Sequence, residues 1–200
     1  MGADRHGIAE EAARIVCEEA LTDYRQAKLK ALDRLGLPSR TPLPDNASVQ
    51  TAVLAHLRVF GGAEHAQRLR LMRQTAVQVL RGLALFSPRV VGATVSGAVT
   101  AAHRVQIHAY ADQAESVDIF LLDRQIGFDV DERRYRYPGG RELDIPVLRF
   151  DWHGVGVDVA VFDEDHRRQP PLNPADGQPY RRLDLAATEA LLQASPPASA

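Results

Sequence analysis

The chain has one cysteine, few aromatic residues and almost no net charge. Its single cysteine, Cys17, excludes an internal disulfide, which fits a reducing compartment, and its helical surroundings predict a buried thiol. Aromatic residues make up 6% of the 200 residues, whereas the hydrophobic share of 45% is ordinary for a globular protein. The formal net charge of -2 gives no global reason to expect a nucleic-acid partner.

Long apolar runs are also missing from the sequence. No stretch approaches the ~20 apolar residues that a membrane helix needs, and the first residues lack the basic segment and apolar run of a secretory leader. We therefore expect a cytoplasmic protein with no membrane partner. The length predicts one domain, with a helical lobe attached to it or packed on its sheet.

Three helices are predicted in the first part of the chain, because apolar residues recur three or four positions apart. The predicted helices cover residues 8–35, about 46–60 and about 63–85. Asn46 or Ser48 is expected to cap the second helix. Glycine or proline residues follow each helix, as expected where a helix ends.

The periodicity then changes to that of β-strands. Residues 90–95 predict a first strand with a glycine-bounded turn. Residues 105–111 predict a second strand, in which Gln106 and His108 face away from the aliphatic side chains between them. Asp112 is expected to cap a helix that follows directly.

A hairpin and a last strand complete the predicted sheet. Two strand-like segments flank a Pro-Gly-Gly turn, which predicts a β-hairpin over residues 128–152. Residues 154–162 predict the final strand, in which the valines share one face and Asp158 lies on the other. One face of this strand is therefore expected to meet the core, and the other to meet a cleft or a second layer.

The complete pattern predicts an α/β (α+β) protein with a mixed β-sheet, an N-terminal helical region and a C-terminal helix. We divide the chain into a helical region at residues 1–88, a core at residues 89–165 and a C-terminal part at residues 166–200. The C-terminal part is expected to contain an irregular proline-rich strap, a short helix and a disordered tail at residues 195–200.

Three short motifs lie on the predicted strands and turns of the core. Gly92 and Gly97 enclose the turn in GATVSG, residues 103–106 read HRVQ, and Asp158 lies in VDVAVF. Together the motifs resemble the signature of nucleotidyltransferases of the polymerase-β type, in which G-S-x-x-x-G precedes S-D-x-D and a later strand carries a third acid. The resemblance covers roughly residues 90–162 and implies a nucleotidyltransferase-like mixed sheet. In that family the acids bind two Mg²⁺ ions that hold a nucleoside triphosphate for phosphoryl transfer.

Three functional positions of that signature are replaced in this chain. Ala93 stands where the family has serine, and Arg104 and Gln106 stand where it has the two metal-binding aspartates. A fixed positive charge at Arg104 repels a divalent cation but can pair with a phosphate, and the amide of Gln106 is a poor substitute for a carboxylate. The resemblance therefore implies that metal-dependent nucleotidyl transfer is lost or severely reduced, with Mg²⁺ needed only if activity survives.

The N-terminal helices and the segment QPPLNPADGQPYRR also resemble an uncharacterised group of bacterial proteins built on this core. Some members of the group carry the name of a ligase from cell-wall synthesis. An ATP-dependent ligase of that type would carry a glycine-rich phosphate loop ending in Gly-Lys-Ser/Thr, and this chain has none. We therefore reject the ligase assignment.

The resemblance also identifies the expected functional residues. Asp158 is the candidate catalytic residue. The candidate nucleotide-binding residues are Gly92, Gly97, Arg104, Gln106 and His108. No resident metal is predicted. A transition metal held by His103, His108 and Asp158 is an alternative to a pair of polar histidines on a half-exposed strand.

Three functions remain open on the sequence. The first is a catalytically degenerate module that binds a nucleotide or a protein partner. The second is an active Mg²⁺-dependent nucleotidyltransferase with rearranged acids, such as Glu115 and Asp151. The third is a nucleic-acid-associated module that uses the arginines of the third helix, with weak support from ERRYRY at residues 132–137. A solvated helix face, and a hairpin with outward arginines and inward tyrosines, explain the same features.

Overall fold

The computed structural model describes residues 2–194, which form an α+β structure with a five-stranded mixed sheet, as the sequence predicts. The helices are α1 (Gly2–Glu18), α2 (Tyr24–Arg34), α3 (Asn46–Phe60), α4 (Gly62–Gly82), α5 (Ala93–Ser96), α6 (Glu115–Asp123) and α7 (Leu185–Gln193). The strands are β1 (Arg89–Val91), β2 (Val105–Tyr110), β3 (Asp129–Arg136), β4 (Glu142–Trp152) and β5 (Val155–Phe162). The predicted disordered tail at residues 195–200 lies outside the described residues.

The strands lie in the order β1-β2-β5-β4-β3, in which β2 and β5 are parallel and the other neighbours are antiparallel. The backbone register places Val91, Gln106, Asp158 and Arg149 in one row across four neighbouring strands. Residues paired in this way point to the same face of a sheet. The register therefore brings Gln106, Asp158 and Arg149 side by side near the start of β2.

The two faces of the sheet are covered differently. One face packs against α4, α6 and α7, and its apolar cluster includes Val105, Ile107, Val157 and Val159. The other face carries a cluster of aromatic side chains that includes Tyr110, Tyr135, Phe162 and Tyr180. The alternation predicted for β2 and β5 is confirmed, because the aliphatic residues of both strands share the first face.

Helices α1, α2 and α3 pack on one another around an apolar cluster of their own. Two residues from later in the chain, Ala98 and Ala175, join this cluster. The amide nitrogen of Asn46 donates to the carbonyl of Pro174 at 2.6 Å, and Lys28 Nζ donates to Asn46 Oδ1 at 2.8 Å. These contacts fix α2 and α3 against the loop after α5 and against the proline-rich strap, which is the segment at residues 169–182.

The prediction of one helix over residues 8–35 is wrong, because two helices occupy that segment. Helix α1 ends at Glu18, and Ala20 has a φ of 52°, which no right-handed helix contains. Asp23 caps α2, where its carboxylate accepts hydrogen bonds from two backbone N–H groups of the first turn. The apolar spacing continues across the break, so periodicity alone does not reveal where α1 ends and α2 begins.

Two predicted helix caps are also wrong. Asp45 caps α3, with its carboxylate accepting from the Ser48 N–H at 2.7 Å, so neither Asn46 nor Ser48 supplies the cap. Asp112 does not cap α6, which begins at Glu115 without a side-chain cap. The first error is a choice among neighbouring polar residues that are all good N-caps by residue type, whereas in α6 the N-cap position is Ala114, which has no side chain that could accept a hydrogen bond.

Two predicted boundaries differ as well. The strand predicted at residues 90–95 ends at Val91, because the chain turns at Gly92 into the short helix α5. The helix predicted at residues 63–85 is α4, which ends at Gly82 and is followed by a 3₁₀ turn. Both differences occur beside glycine residues.

The hairpin of β3 and β4, the last strand and the C-terminal helix are confirmed. Helix α7 is capped by Asp184, whose carboxylate accepts from the Ala187 N–H at 2.9 Å. Cys17 is half-buried rather than buried, and burial raises the pKa of its thiol to about 11. Within residues 2–194, no helix has the length and apolar character required to cross a bilayer.

Candidate functional site

A cleft of about 440 Å³ lies between the sheet and the N-terminal helices. It is lined by the starts of α2 and α3, the segment from Gly92 to Gln106, residues of β3, β4 and β5, and the strap. Four residues predicted from the sequence line it together, namely Gly92, Arg104, Gln106 and Asp158. Its volume lies in the usual range of small-molecule sites, about 300–1,000 Å³.

Asp158 lies at the bottom of the cleft and contacts three arginines. Its side chain is 5% exposed. Arg104 Nε donates to Oδ1 at 2.6 Å, Arg133 Nη2 donates to Oδ2 at 2.9 Å, and Arg149 Nε lies 3.5 Å from Oδ1. A buried carboxylate is tolerated where such partners compensate its charge. The four side chains together carry a formal excess of two positive charges.

Arg104 is fixed by protein groups on several sides. Its Nη2 donates to the carbonyls of Phe150 and Val157 at 2.9 and 3.1 Å, in addition to the Nε bond to Asp158. Its guanidinium also lies against Gly156, where a Cβ atom would overlap Nη1 and Cζ. Arg104 is therefore a structural bridge between the start of β2 and strands β4 and β5, rather than a solvated turn residue.

Arg133 and Arg149 are cleft residues that the sequence reasoning missed. Arg149 lies opposite Asp158 in the backbone register, and its Nη1 also donates to Asp131 at 3.1 Å. Burial lowers the pKa of Arg133, but Tyr135 and Asp158 outweigh burial, so the net shift is upward. Arg133 lies two positions from the inward Tyr135 and so shares its face of the strand, which was the available signal.

Gly92 and Gly97 enclose α5 beside the cleft. Gly92 has a φ of 71° and a ψ of -142°, and a Cβ atom there would overlap Gln106 Oε1. Gly97 has a φ of 89°, and its N–H donates to the Ala93 carbonyl at 2.8 Å. Both turns require the conformational freedom of glycine, but only Gly92 lines the cleft.

His103 also lines the cleft and is held by the turn before β2. Its Nδ1 accepts from the Thr100 backbone N–H at 3.0 Å. Burial lowers the pKa of His103 to about 4, so its ring is neutral at neutral pH. His103 therefore adds no positive charge to the arginine group under these conditions.

His108 lies in the aromatic cluster and does not line the cleft. Its ring is 1% exposed, and its centroid is 4.7, 5.0 and 5.5 Å from those of Phe162, Tyr180 and Tyr135. Burial, helped by nearby arginines, lowers the pKa of His108 to about 3. Neither ring nitrogen has a hydrogen-bond partner among the described residues. A ligand in the cleft would not reach this ring.

The residues named above as alternative metal ligands do not lie together in the described part of the structure. Among residues 2–194, no group of three or more His, Cys, Asp and Glu side chains is placed to share a metal ion. His103 lines the cleft whereas His108 is enclosed by aromatic rings, so the two do not converge with Asp158. Glu115 begins α6 and Asp151 lies in β4, and neither belongs to the described lining of the cleft.

The arginines of α4 do not form a continuous exposed basic face. Arg73 is buried, and its Nε donates to the carbonyl of Thr94 at 3.2 Å. Arg68 pairs with Glu64 on the same helix, and Arg81 pairs with a glutamate of α7. These three arginines of α4 are thus engaged in contacts within the protein.

The ERRYRY segment follows the alternation of a hairpin strand. Tyr135 and Tyr137 are buried in the aromatic cluster. Arg134 and Arg136 face outward and pair with acidic residues of β4. The inward direction of the tyrosines means that they do not form the exposed stacking surface of an RNA-binding strand.

The charges that line the cleft are distributed unevenly. Among the described residues that line the cleft, the positively charged side chains are Arg104, Arg133 and Arg149. All three lie at the end of the cleft that the sheet forms. The opposite wall contributes Thr22, Asp23, Asn46 and Gln50. Such a site attracts an anion to one end and offers uncharged hydrogen-bonding groups and one carboxylate, Asp23, toward the other.

Comparison with known proteins gives no family assignment for this chain. A scan of protein-family models, a search of curated proteins and a search of solved structures each found no match. The function must therefore be inferred from the cleft.

Proposed function

We propose that this protein binds a nucleotide in the cleft without a divalent metal ion and does not transfer nucleotidyl groups. The observation that carries the proposal is the environment of Asp158, whose two carboxylate oxygens accept from Arg104 and Arg133, with Arg149 beside them. In the resembled family, an acid at this position would bind Mg²⁺. In this protein the corresponding region presents guanidinium groups, which bind anions.

A divalent cation would have to displace two charge-assisted hydrogen bonds to reach Asp158. Mg²⁺ needs oxygen ligands in near-octahedral geometry, and the neighbouring positions supply Arg104 and Gln106 instead of carboxylates. Three guanidiniums close to the site also repel a divalent ion. Loss of metal-dependent transfer follows from these two effects together.

The arginines that repel a divalent cation attract an anionic ligand. Guanidinium groups bind phosphate oxygens through paired, charge-assisted hydrogen bonds. Gly92 lines the cleft in the turn that resembles the phosphate-binding turn of the family, and its lack of a side chain leaves room for Gln106 beside it. The opposite wall of the cleft, with the uncharged side chains of Thr22, Asn46 and Gln50, provides groups suited to a base or a sugar. A nucleotide combines these requirements in one molecule.

The alternative of an active transferase with rearranged acids has weaker support. Asp23 lines the cleft, but one of its oxygens is engaged in capping α2. Asp131 contacts Arg149 and is not among the described lining residues. A second carboxylate that could share a metal with Asp158 is therefore not assembled among the described residues.

Isothermal titration calorimetry with nucleoside mono- and triphosphates tests the proposal, in EDTA and again in excess Mg²⁺ or Mn²⁺. We expect at least one nucleotide to bind in EDTA, its affinity to change less than about threefold with metal, and no pyrophosphate to be released. Binding that requires metal and disappears in Asp158→Ala would refute the proposal, and release of pyrophosphate in addition would establish the active enzyme. Absence of binding by every nucleotide would also refute the proposal.

A further inference from the structure

The three arginines of the cleft all contact the one carboxylate of Asp158, and this geometry bears on the class of nucleotide. We infer that the ligand is a nucleoside monophosphate rather than a triphosphate, with its phosphate held by Arg133 and Arg149. The inference rests on the proposed function, because it assumes that a nucleotide binds in this cleft. Arg104 then acts as a positioning residue that fixes Asp158.

The hydrogen-bond donors of the three arginines are used to different extents. Arg104 commits three N–H groups, one to Asp158 and two to backbone carbonyls. Arg133 donates through Nη2 to Asp158 and is also hydrogen-bonded to Tyr135, and Arg149 donates through Nη1 to Asp131. Arg133 and Arg149 are also the more exposed, at 35% and 42% of their side-chain surface. These two guanidiniums therefore retain donors for a ligand, and two such groups match the oxygens of one phosphate.

The charge of the site matches one phosphate group. A phosphate monoester carries a charge of about -1.5 to -2 at neutral pH. Asp158 and its three arginines carry a formal excess of two positive charges. Asp131, which pairs with Arg149 from outside the cleft, lowers that excess to one. A single phosphate is thus already enough to neutralise the group without a metal ion.

Additional phosphates would have no cationic partner in the cleft. Among the described residues that line the cleft, the three arginines near Asp158 are the only lysine or arginine side chains. The wall opposite them includes the carboxylate of Asp23. Negative charge that enters a partly buried site without compensation is costly. A triphosphate would therefore gain little from its second and third phosphates, and it would lose the contribution of Mg²⁺ that usually accompanies them.

The other end of the cleft offers a group suited to a nucleobase. The carbonyl oxygen of Gln50 is buried and has no hydrogen-bond partner among the described residues. Buried polar atoms are normally satisfied, and an N–H of a base would satisfy this one. Since Gln50 lines the same cleft as the arginines, one molecule can meet both requirements.

Calorimetry of the complete chain in EDTA tests this inference, with AMP, GMP, CMP and UMP compared with the matching triphosphates. We expect the best monophosphate to bind at least as tightly as its triphosphate, and at least tenfold more tightly than ribose 5-phosphate. A triphosphate that binds more than about threefold more tightly would overturn the inference. Equal binding of ribose 5-phosphate would also overturn it, because the base would then contribute nothing.

Variants at two arginines locate the phosphate. Arg149→Gln should weaken binding of the best monophosphate at least tenfold, because a charge-assisted pair is lost. Arg134→Gln is the matched control, since Arg134 faces outward and pairs with Asp144, and it should leave the affinity unchanged. Arg149→Lys preserves the charge without the planar fork and should weaken binding less than Arg149→Gln does. Unchanged affinity in both Arg149 variants would overturn the assignment.

Failure of the inference and failure of the proposed function give different results. Tighter binding of a triphosphate in EDTA overturns the ligand class and leaves metal-free nucleotide binding intact. No binding of any nucleotide in EDTA, or binding that depends on Mg²⁺, refutes the proposed function itself.

Discussion

Arg149 and Asp158 occupy directly opposed positions on β4 and β5, and Arg149 Nε lies 3.5 Å from Asp158 Oδ1 on the cleft side of the sheet. Arg104 reaches the same carboxylate from the residue before β2. The charge arrangement of the cleft is thus set by the pairing of strands rather than by a mobile loop. Sites built on strands hold their side chains in defined positions, which favours a preorganised ligand site.

Removal of the charge of Asp158 should destabilise the protein. Asp158→Asn leaves three arginines close together without the carboxylate that compensates them, and we expect a loss of about 2 kcal/mol in the free energy of unfolding. Urea denaturation followed by circular dichroism measures the difference. Asp144→Asn, which breaks an exposed pair with Arg134, is the control and should cost less than about 1 kcal/mol. Equal stability of Asp158→Asn and the wild type would contradict this account of the site.

A carboxylate at position 104 should create a dependence on metal that the wild type lacks. We expect Arg104→Asp to lower the melting temperature in EDTA, because two carboxylates then repel each other and backbone carbonyls lose their donors. Mg²⁺ should recover part of this loss through binding to the folded state. The wild type and Arg104→Asn should show no increase of the melting temperature with Mg²⁺. A large increase in the wild type would contradict the metal-free site.

Alanine at Gly92 should destabilise the protein and displace Gln106. The φ of 71° at Gly92 disfavours any side chain, and a Cβ atom would overlap Gln106 Oε1. We expect a loss of about 1–3 kcal/mol in the free energy of unfolding. Gly7→Ala serves as the comparison, because Gly7 lies inside α1 with open space around it, and it should stabilise the protein by about 1 kcal/mol. Equal effects of the two substitutions would show that Gly92 has no special conformational role.

Acid should destabilise the protein through its buried histidines. The pKa values of His108 and His103 fall from 6.5 to about 3 and about 4 on folding, so the unfolded chain binds protons first as the pH drops. Above about pH 6.5 both rings are neutral in the folded and in the unfolded chain. The free energy of unfolding therefore declines as the pH falls below that value. Each histidine should lower the free energy of unfolding by about 2 kcal/mol at pH 5, because each pH unit below 6.5 costs about 1.4 kcal/mol.

The variant His108→Phe separates this effect from general acid denaturation. Phenylalanine suits the surrounding aromatic rings and does not titrate. We expect urea titrations at pH 7.5 and pH 5 to show a smaller decline for this variant than for the wild type, by about 2 kcal/mol. His6→Ala removes an exposed histidine and should leave the decline unchanged. An identical decline in His108→Phe and the wild type would contradict the role of His108.

The sequence predicted those parts of the fold and site that depend on local pattern. The alternation of β2 and β5 placed Gln106 and Asp158 on one face, and both line the cleft. Arg133 and Arg149 were missed because their approach to Asp158 depends on how three strands pair, and strand register is a long-range property. His108 was assigned to the correct face, but the sequence does not reveal that Tyr180 of the strap covers that face.

The parallel pairing of β2 with β5 has a consequence for how the protein folds. The two strands are separated along the chain by α6 and the β3–β4 hairpin, so their contact must close a long loop. The hairpin joins neighbouring residues and should form early, whereas β2 can dock only when β5 is in place. Arg104, just before β2, bonds to groups of β4 and β5, so these bonds form in that late step. Refolding should therefore take about milliseconds to seconds, and the capacity to bind ligand should appear only with its final phase.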